Sequence, residues 1–536
     1  MKLLSNLRGD IYGGLTTAVV ALPLALAFGV ASGAGALAGL YGAIFTGFFA
    51  ALFGGTPAQV SGPTGPMTVV MALVITHFAG HPAVAFTIVM IGGLFQILFG
   101  LLKLGRYINL VPYPVISGFM NGIGCIIIIL QLAPLVGQAA PAGVMLVKLA
   151  ALPQLLLQPQ PHALLLGAVT LAIVYLTPAR IGRLLPAPLL ALIAGSLLAK
   201  LWFGDVPVIG SIPTGLPSMH IPAVTVADIP QMIRYGLVLA FLGSIDTLLT
   251  SLIADSITRT HHHSEKELIG QGIGNTIAGL FGAIPGAGAT MRTVVNVRAG
   301  GRTPLSGVLH SVVLLGVALG FGSLVESIPY AVLAGILVKV GTDIIDWRYL
   351  KRIHRAPRAG VIIMLTTLTL TIVVDLITAV AVGMVMASVL FVKRMADSQM
   401  KSMRLVFAPD QVDDLTPEEA DILERAGGRI VLFHLEGPLS FGSAKDVARM
   451  LSSSKNQDVL IIDLSDVPFI DSSASIALEE VVQEAHADRD LVILCGLRTN
   501  VRDTLGKIGL LERIPTDCIC KDRSAALLRA DAFLAR

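Results

Sequence analysis

Two short stretches of similar sequence, SGPTGPMTVV (residues 61–70) and GAGATMRTVV (residues 286–295), carry the strongest structural signal in this chain. Each has a glycine-rich beginning and ends in Thr-Val-Val, and the apolar segment around each is too short to cross a ~30 Å hydrocarbon core as a helix. Seven apolar segments precede the eighth, so the second stretch would have the opposite membrane orientation. Such repeats are typical of secondary transporters, where two half-helices meet near the midplane and their N-terminal dipoles hold an anion. The alternative is that these Gly and Pro residues only allow close helix packing.

The composition excludes a soluble globular protein. The 536 residues are 54% hydrophobic and 14% charged, with a mean hydropathy of +0.79, whereas soluble domains carry about 25% charged residues. No Asp, Glu, Lys or Arg occurs between Ile11 and Leu102, which fits several membrane spans of about 20 residues each. The 4 cysteines are too few and too badly placed for a disulfide framework.

The alternation of apolar segments and polar joints predicts an α-helical membrane domain over residues 1–395, a linker over 396–427 and a small α/β domain over 428–536. The membrane domain has fourteen candidate spans, at residues 11–31, 35–54, 65–79, 83–102, 113–136, 161–177, 184–203, 230–253, 268–284, 288–298, 304–323, 329–345, 358–374 and 376–393.

Lysine and arginine placement predicts the orientation of these spans. If the N-terminus is cytoplasmic, the inside joints hold most of the basic residues, including the dense set from Arg348 to Arg358. The outside joints hold only Lys148, Lys200 and Arg234. The same alternation places the C-terminal domain in the cytoplasm.

The C-terminal domain alternates strand-like and helix-like segments, which indicates a small α/β fold. The predicted segments, in chain order, are RIVLFHLEG (429–437), SAKDVARMLSS (443–453), DVLIIDLSDV (458–467), SSASIALEEVVQEA (472–485), DLVILCGL (490–497) and TNVRDTLGKIGL (499–510). Before them, TPEEADILERA (416–426) predicts a helix that begins with a threonine cap.

Asp246 lies near the middle of a predicted span, where a carboxylate is costly unless it is paired, hydrated or bound to a cation. Thr250 lies one turn further on the same face, and the segment Gly286–Thr290 can supply backbone carbonyls. These hard oxygen ligands suit Na⁺. Two alternatives stay open: Asp246 carries a proton, or it only bonds to neighbouring backbone.

Arg292 lies at the start of the second half-helix, well inside a predicted span. It either attracts an anion or pairs with Asp246, and its position makes a cation as sole substrate less favourable. No catalytic triad or phosphate-binding loop is discernible, so neither enzyme activity nor ATP-driven transport is expected, and no organic cofactor or nucleic-acid partner is implied. The tract His261–His263 is interpreted as plain surface.

Four segments together identify a resemblance to the SulP transporters, the bacterial branch of solute carrier family 26, and within them to sodium-dependent bicarbonate carriers. They are GLTTAVVALPLALAFGVASG (14–33), SGPTGPMTVV (61–70), GSIDTLLTSLIAD (243–255) and LIGQGIGNTIAGLFGAIPGAGATMRTVVN (268–296). The C-terminal domain resembles a STAS domain through DVLIIDLSDVPFIDSSAS (458–475).

The resemblance implies two inverted repeats of seven spans, with spans 1–4 and 8–11 forming a core domain and spans 5–7 and 12–14 a gate domain. It also implies an elevator-like movement of core against gate, in a homodimer embedded in the lipid of the bacterial inner membrane.

The resemblance further implies a site for Na⁺ as coupling ion and, beside it, a site for a small inorganic anion. The implied sodium ligands are Asp246, Thr250, Gly288, Ala289 and Thr290, and the implied anion neighbours are Thr68, Pro23, Ala25, Ala289 and Arg292.

Two departures from sulfate-carrying members favour bicarbonate over sulfate. The first span reads Ala21-Leu22-Pro23-Leu24 instead of a Pro-Gln pair, and the second half-helix has Met291-Arg292 instead of Ser-Arg. A proton-coupled or exchanging carrier of sulfate or a dicarboxylate is the alternative, and a membrane sensor acting through the STAS domain is a third.

In STAS antagonists a serine of an Asp-Ser-Ser loop is phosphorylated, and Asp471, Ser472 and Ser473 match that loop. They are therefore candidates for regulation. The alternative is that they only cap a helix.

Overall fold

The computed structural model describes residues 5–139, 145–210, 219–224, 226–320, 325–402, 404–408, 415–440, 457–488 and 491–536. The chain forms two compact units, Met1–Val385 and Met386–Arg536.

All fourteen predicted apolar segments coincide with helices, whose ends differ from the predicted ones by a few residues. Three further helices, α6, α8 and α15, lie between them. The helices are α1 (Leu7–Ala31), α2 (Ala36–Phe53), α3 (Gly65–His77), α4 (Pro82–Leu101), α5 (Tyr113–Leu135), α6 (Met145–Leu157), α7 (Pro161–Leu176), α8 (Ala179–Leu184), α9 (Ala187–Trp202), α10 (Ile229–Thr258), α11 (Ser264–Leu280), α12 (Thr290–Arg298), α13 (Pro304–Gly320), α14 (Tyr330–Ile344), α15 (Trp347–Leu350), α16 (Arg358–Val373) and α17 (Leu376–Ser402).

The helices differ in their ability to cross a membrane alone. Among the described residues, 6 helices are long and apolar enough, or up to 7 if the bent pair α6–α7 is one span. Helix length and composition therefore do not test the prediction that the chain crosses the membrane fourteen times.

The two half-helices are short because each begins beside the other, in the interior of the unit. Helix α3 has 13 residues and α12 has 9, about 20 Å and 14 Å at 1.5 Å per residue. The strands β1 (Ser61–Gly62) and β2 (Ala287–Gly288), which precede them, form an antiparallel pair with Ser61 opposite Gly288. The prediction that the two half-helix N-termini meet is confirmed.

The helices pack in two groups, of which the first described here is named the core group and the second the gate group. In one group, α11 packs on α4 and α2, α13 packs on α1 and α2, and α10 packs on α4 and α12. In the other group, α5 packs on α14 and α16, and α7 packs on α14 and α9. The groups touch where α1 contacts α14 and α9, and where α3 contacts α5.

The second unit is an α/β domain whose sheet has the order β3-β4-β5-β6-β7 among the described residues. Strand β3 is antiparallel to β4 and the other neighbours are parallel. The strands are β3 (Arg404–Val406), β4 (Ile430–Glu436), β5 (Val459–Asp466), β6 (Leu491–Cys495) and β7 (Ile519–Cys520), and the helices are α18 (Pro417–Ala426), α19 (Ser472–Asp488), α20 (Thr499–Ile508) and α21 (Arg523–Leu534).

The predicted strands and helices of this domain are found where the structure describes them, whereas SAKDVARMLSS lies outside the described residues. The threonine cap of α18 is confirmed, because Thr416 and Glu419 form a reciprocal capping box. Strand β3 and helix α18 belong to the sheet and its apolar core, although both lie in the predicted linker. The folded domain therefore begins well before residue 428.

Candidate functional site

A cavity of about 1410 Å³ lies between the two groups of helices in the first unit. From the core group it is lined by the N-terminal ends of α3 and α12, by α1 and by one face of α10. From the gate group α5 and α14 contribute, including Ser117 and Lys339. Because it contains both half-helix N-termini, it is the place where the helix dipoles would act on a bound ion.

Asp246 faces this cavity from α10. The Asp246 Oδ2 atom and the hydroxyl of Thr64, the residue that precedes α3, are buried without a hydrogen bond of good geometry, although the two side chains are close enough to interact with each other. Buried polar atoms are normally satisfied, so two adjacent orphaned oxygens require an explanation such as an ion.

Thr250, Gly288 and Thr290 are brought together as the resemblance implies. The Thr250 hydroxyl donates to the Gly288 carbonyl at 2.9 Å and lies 2.8 Å from the Thr290 hydroxyl. Thr290 and Ala289 line the same cavity as Asp246. Three of the implied sodium ligands are thus joined by hydrogen bonds, and the other two line the same cavity. Thr64, which also lines it, is a residue that the sequence analysis did not name.

Gly288 is held tightly between two elements. Its N–H donates to the Thr247 hydroxyl at 2.9 Å. A Cβ atom at Gly288 would lie 2.4 Å from Gln59 Nε2 and 3.1 Å from Thr247 Cα. No side chain fits there, so the direction of the Gly288 carbonyl is fixed by α10 on one side and by Gln59 on the other.

Arg292 is 1% exposed and lies at the N-terminus of the other half-helix. Its Nη2 donates to the Pro63 carbonyl at 3.1 Å, whereas Nη1 is buried without a partner. Gly62 leaves the room for this guanidinium, since a Cβ atom there would lie 2.4 Å from Nη1. Among the described residues no ion pair joins Arg292 to Asp246, and Nη1 is left facing Gly62.

Three of the residues implied for the anion site lie near the cavity without lining it. Pro23 and Ala25 are buried in α1, where Val20 and Leu24 line the cavity instead. Thr68 is buried in α3, and its hydroxyl donates to the Thr64 carbonyl at 2.8 Å.

Sequence reasoning missed a buried polar stripe on α11. Glu267, Gln271 and Asn275 are spaced by four residues, so they share one helix face. All three are buried, and Asn275 holds Gly286 by accepting from its N–H at 2.8 Å and donating to its carbonyl at 2.9 Å. The i, i+4, i+8 spacing in an apolar segment is the signal that would have found them.

The histidine tract is not plain surface throughout. His261 and His263 are exposed, but His262 is largely buried and its Nδ1 lies 2.7 Å from Asp255 Oδ2. Among the residues that the structure describes, no group of three or more His, Cys, Asp or Glu side chains is arranged to hold a metal ion.

A second cavity of about 1000 Å³ lies at the other end of α1. It is lined by the turn between α1 and α2, by α5 and by Lys148, and neither Asp246 nor Arg292 contributes to it. Of these two cavities, only the one of about 1410 Å³ reaches the site residues.

The Asp-Ser-Ser loop of the second unit begins α19. Asp471 accepts a hydrogen bond from the Ala474 N–H at 2.8 Å, while Ser472 and Ser473 are exposed. In the same unit the His434 Nδ1 lies 3.0 Å from the buried Asp463 carboxylate. This hydrogen bond raises the pKa of His434 above its ordinary value, against the opposing effect of burial.

Comparison with known proteins gives two family matches. The model described as the sulfate permease family matches residues 7–367, and the STAS domain model matches residues 422–521. A curated relative, bicarbonate transporter BicA from Picosynechococcus sp., is 49% identical over 536 residues, which cover 98% of this chain and 95% of the relative.

Two solved structures are similar to this one. The transmembrane domain of a cyanobacterial bicarbonate transporter BicA has 54% sequence identity and a TM-score of 0.67, covering 70% of this chain and 98% of that chain. The murine solute carrier 26 family member A9, an anion transporter solved in the inward-facing state, has a TM-score of 0.85 at 17% identity. The match covers 99% of this chain and 92% of that chain. At that identity the second likeness concerns the fold alone.

Proposed function

This chain belongs to the sulfate permease family, and from that premise we propose that it is a secondary active anion transporter that carries bicarbonate together with Na⁺. The observation that carries the proposal is the orphaned Asp246 oxygen beside the joined oxygens of Thr250, Gly288 and Thr290. Relatives named bicarbonate transporters, nearly half identical over almost the full chain, support bicarbonate as the anion.

The proposed Na⁺ site combines one carboxylate with neutral oxygens. Asp246, Thr250 and Thr290 provide side-chain oxygens, Gly288 and Ala289 provide backbone, and Thr64 adds a hydroxyl from the first repeat. Hard cations prefer such oxygen ligands. A bound Na⁺ would satisfy the Asp246 and Thr64 atoms that otherwise remain buried without partners.

The anion is proposed to bind beside Na⁺, between the N-termini of α3 and α12. The unpartnered Arg292 Nη1 and the two helix dipoles supply positive potential there. Ala289 lines this space directly, whereas Thr68, Pro23 and Ala25, which the resemblance adds, lie one layer behind it.

Coupling follows from the shared position of the two ions. A cation and a monovalent anion stabilise each other in a site of low dielectric constant. If each raises the affinity for the other, the factor is the same in both directions. The inward Na⁺ gradient then drives bicarbonate accumulation without ATP.

Transport is proposed to be an elevator-like movement of the core helices against the gate helices, with fourteen spans and a homodimer in the bacterial inner membrane. The separate packing of the two groups supports this, since the proposed site lies where they meet. With the N-terminus and the STAS domain in the cytoplasm, the cavity of about 1410 Å³ would be the inward path. The cavity at the opposite end of α1 would mark the outward path.

The test is uptake of radiolabelled bicarbonate into proteoliposomes, with and without an inward Na⁺ gradient, with sulfate as the parallel substrate. We expect bicarbonate uptake that requires Na⁺. The alternative, a proton-coupled or exchanging carrier of sulfate or a dicarboxylate, is favoured by the same lone Asp246 oxygen, which suits a proton equally well. Sulfate uptake driven by a pH gradient and indifferent to Na⁺ would establish that alternative.

The substitution Asp246→Asn is expected to abolish Na⁺-dependent bicarbonate uptake, because the amide removes the carboxylate that α10 contributes to the proposed site. Asp228→Asn is the matched control, since Asp228 lies at the far end of the same helix and makes no capping hydrogen bond. Normal Na⁺-dependent uptake by the Asp246→Asn protein would overturn the proposed Na⁺ site.

Regulation through the STAS domain is proposed at Ser472 or Ser473. Both hydroxyls are exposed in the first turn of α19, where the helix dipole favours a phosphate. Asp471 already caps the helix, so neither serine is needed for that purpose. Intact mass spectrometry after incubation with a cell extract and ATP, compared with the Ser472→Ala and Ser473→Ala proteins, would detect the modification.

A further inference from the structure

We propose that Glu267 is a positioning residue for the Na⁺ site, acting through Gln59 on the Gly288 carbonyl. The inference rests on the proposed function, because Gly288 is one of the proposed Na⁺ ligands. Glu267 itself is 1% exposed and does not line the cavity, so it is not a ligand.

Glu267 collects four hydrogen bonds from four separate donors. Its Oε2 accepts from the N–H groups of Gly55 and Thr56, both at 2.8 Å. Its Oε1 accepts from the side-chain amides of Gln59 at 2.8 Å and Gln271 at 3.0 Å. An ionised carboxylate is an acceptor only, so this arrangement of donors matches it and no neutral side chain of the same shape.

Gln59 transmits this arrangement to the proposed site. Its amide nitrogen, held by Glu267, is the group that a Cβ atom at Gly288 would meet at 2.4 Å. Its Oε1 accepts from the Ser251 hydroxyl at 3.0 Å, and Ser251 lies on α10 one residue after Thr250. Gln59 is therefore clamped between α11 and α10, with Gly288 packed against it.

A second connection runs from Gln271 to the strand that pairs with Gly288. The Gln271 amide, which also donates to Glu267, lies in hydrogen-bond contact with the Ser61 hydroxyl. Ser61 is opposite Gly288 in the β1–β2 register. Two independent paths thus fix the Gly288 backbone, and both begin at the Glu267 carboxylate.

The consequence is a specific defect when the carboxylate becomes an amide. Glu267→Gln sets an NH₂ group against at least one donor, which releases Gln59 and lets the Gly288 carbonyl turn away. Loss of an outer-shell partner typically costs a metal site 10- to 100-fold in affinity. We expect the Na⁺ concentration for half-maximal bicarbonate uptake to rise by about tenfold, with the maximal rate at saturating Na⁺ retained.

The experiment measures uptake of bicarbonate into proteoliposomes as a function of Na⁺ for the native chain, Glu267→Gln and Gln59→Met. Glu265→Gln is the matched control, because it makes the same change in the first turn of α11 at a partly exposed side chain. The control removes the same favourable charge from the helix N-terminus, so a difference between the variants reports the hydrogen bonds.

The double variant Gln59→Glu with Glu267→Gln tests the direction of the hydrogen bond. It exchanges donor and acceptor between the two positions, so the amide at 267 can donate to the carboxylate at 59 while its oxygen accepts from Gly55 and Thr56. The Gln271 amide, which donates to Glu267 in the native chain, can turn so that its oxygen accepts from the amide at 267. Recovery of Na⁺ affinity in the double variant supports positioning, because a mere loss of packing would not be restored by a second substitution.

Half-maximal Na⁺ concentrations for Glu267→Gln and Gln59→Met that equal the native value would overturn the inference. If Glu267→Gln does not reach the membrane, Gln59→Met and the double variant decide by the same measurement. Uptake by the native chain that ignores Na⁺ would instead overturn the proposed function, and this inference with it, before any variant is made.

Discussion

The two half-helices begin with similar sequences but are attached to the rest of the protein differently. Before α12, the segment that contains Gly288 is tied to α10 through the hydroxyls of Thr247 and Thr250. Before α3, the Thr64 hydroxyl is buried without a partner, and Gly62 makes room for Arg292 of the other repeat. The second repeat thus holds the oxygens around Gly288 in fixed positions by hydrogen bonds. The first repeat supplies the Thr64 hydroxyl and the space beside Gly62 that the Arg292 side chain fills.

This comparison teaches that repeated backbone geometry does not imply repeated chemistry. Both halves provide a helix N-terminus with the same dipole. The charged side chains, Asp246 and Arg292, both come from the second half of the chain. The proposed separation of a Na⁺ site from an anion site therefore depends on side chains that the first repeat lacks.

Alanine at the two matched glycines is expected to have the largest effects and to separate the two roles. Gly288→Ala places a methyl group 2.4 Å from Gln59 Nε2, whereas Gly62→Ala places one 2.4 Å from Arg292 Nη1. We expect Gly288→Ala to raise the half-maximal Na⁺ concentration by more than about tenfold. Gly62→Ala should instead raise mainly the half-maximal bicarbonate concentration, because it displaces the guanidinium.

Both constants are measured from uptake curves in which one ion is varied at a saturating level of the other. The comparison between the repeats breaks down if the two alanine variants change the same constant by the same factor. Equal elution volumes on size-exclusion chromatography establish that both variants assemble like the native chain.

Substitution of Thr64 and Thr68 by valine tests what the first repeat contributes to the cation site. The Thr64 hydroxyl lies beside Asp246 without a hydrogen bond of good geometry, whereas the Thr68 hydroxyl donates to the Thr64 carbonyl. We expect Thr64→Val to raise the half-maximal Na⁺ concentration by about threefold to tenfold, since one neutral oxygen ligand is worth roughly 1 kcal/mol. Thr64→Ser should retain the native value.

Thr68→Val is the isosteric control for that substitution. If Thr64→Val has the native half-maximal Na⁺ concentration, the first repeat contributes no ligand to the cation site. A higher half-maximal bicarbonate concentration for Thr68→Val would support the anion role that the family resemblance implies for it.

The smallest expected effect concerns the second unit and pH. Because the hydrogen bond to Asp463 raises the pKa of His434, the protonated form stabilises the folded domain. This contribution is complete below the ordinary histidine pKa of about 6.5 and is lost as the pH rises through the raised value. Hydrogen exchange of the β4 and β5 amides in the full chain, corrected for intrinsic rates, should therefore quicken as the pH rises above about 6.5.

His434→Gln should remove this pH dependence, whereas His486→Gln should leave it, because the His486 Nδ1 lies 2.8 Å from the Val482 carbonyl, which carries no charge. Exchange that is equally pH-dependent in the His434→Gln protein would contradict the role of the His434–Asp463 pair.

Much of the fold was predictable because its signals are local. Each of the fourteen apolar segments predicted a helix that the structure contains. The alternation of strand-like and helix-like segments predicted β4, β5 and β6. The family resemblance is confirmed by the matching family models and by relatives that cover nearly the whole chain. Strand β3 escaped prediction because three residues carry no periodic pattern, and it exists only by pairing with β4.

Composition, spacing and isolated charges were enough to predict the membrane fold and the two half-helices, and to single out Asp246, Thr250 and Arg292 as candidates. Only the tertiary structure assigned Thr64, Gln59 and Glu267. Gln59 and Glu267 are 208 residues apart in the chain, and Thr64 is adjacent to Asp246 only because the segment before α3 packs against α10. A buried polar group acquires its role from the partners that surround it, and those partners are chosen by packing between distant segments, which no local pattern encodes.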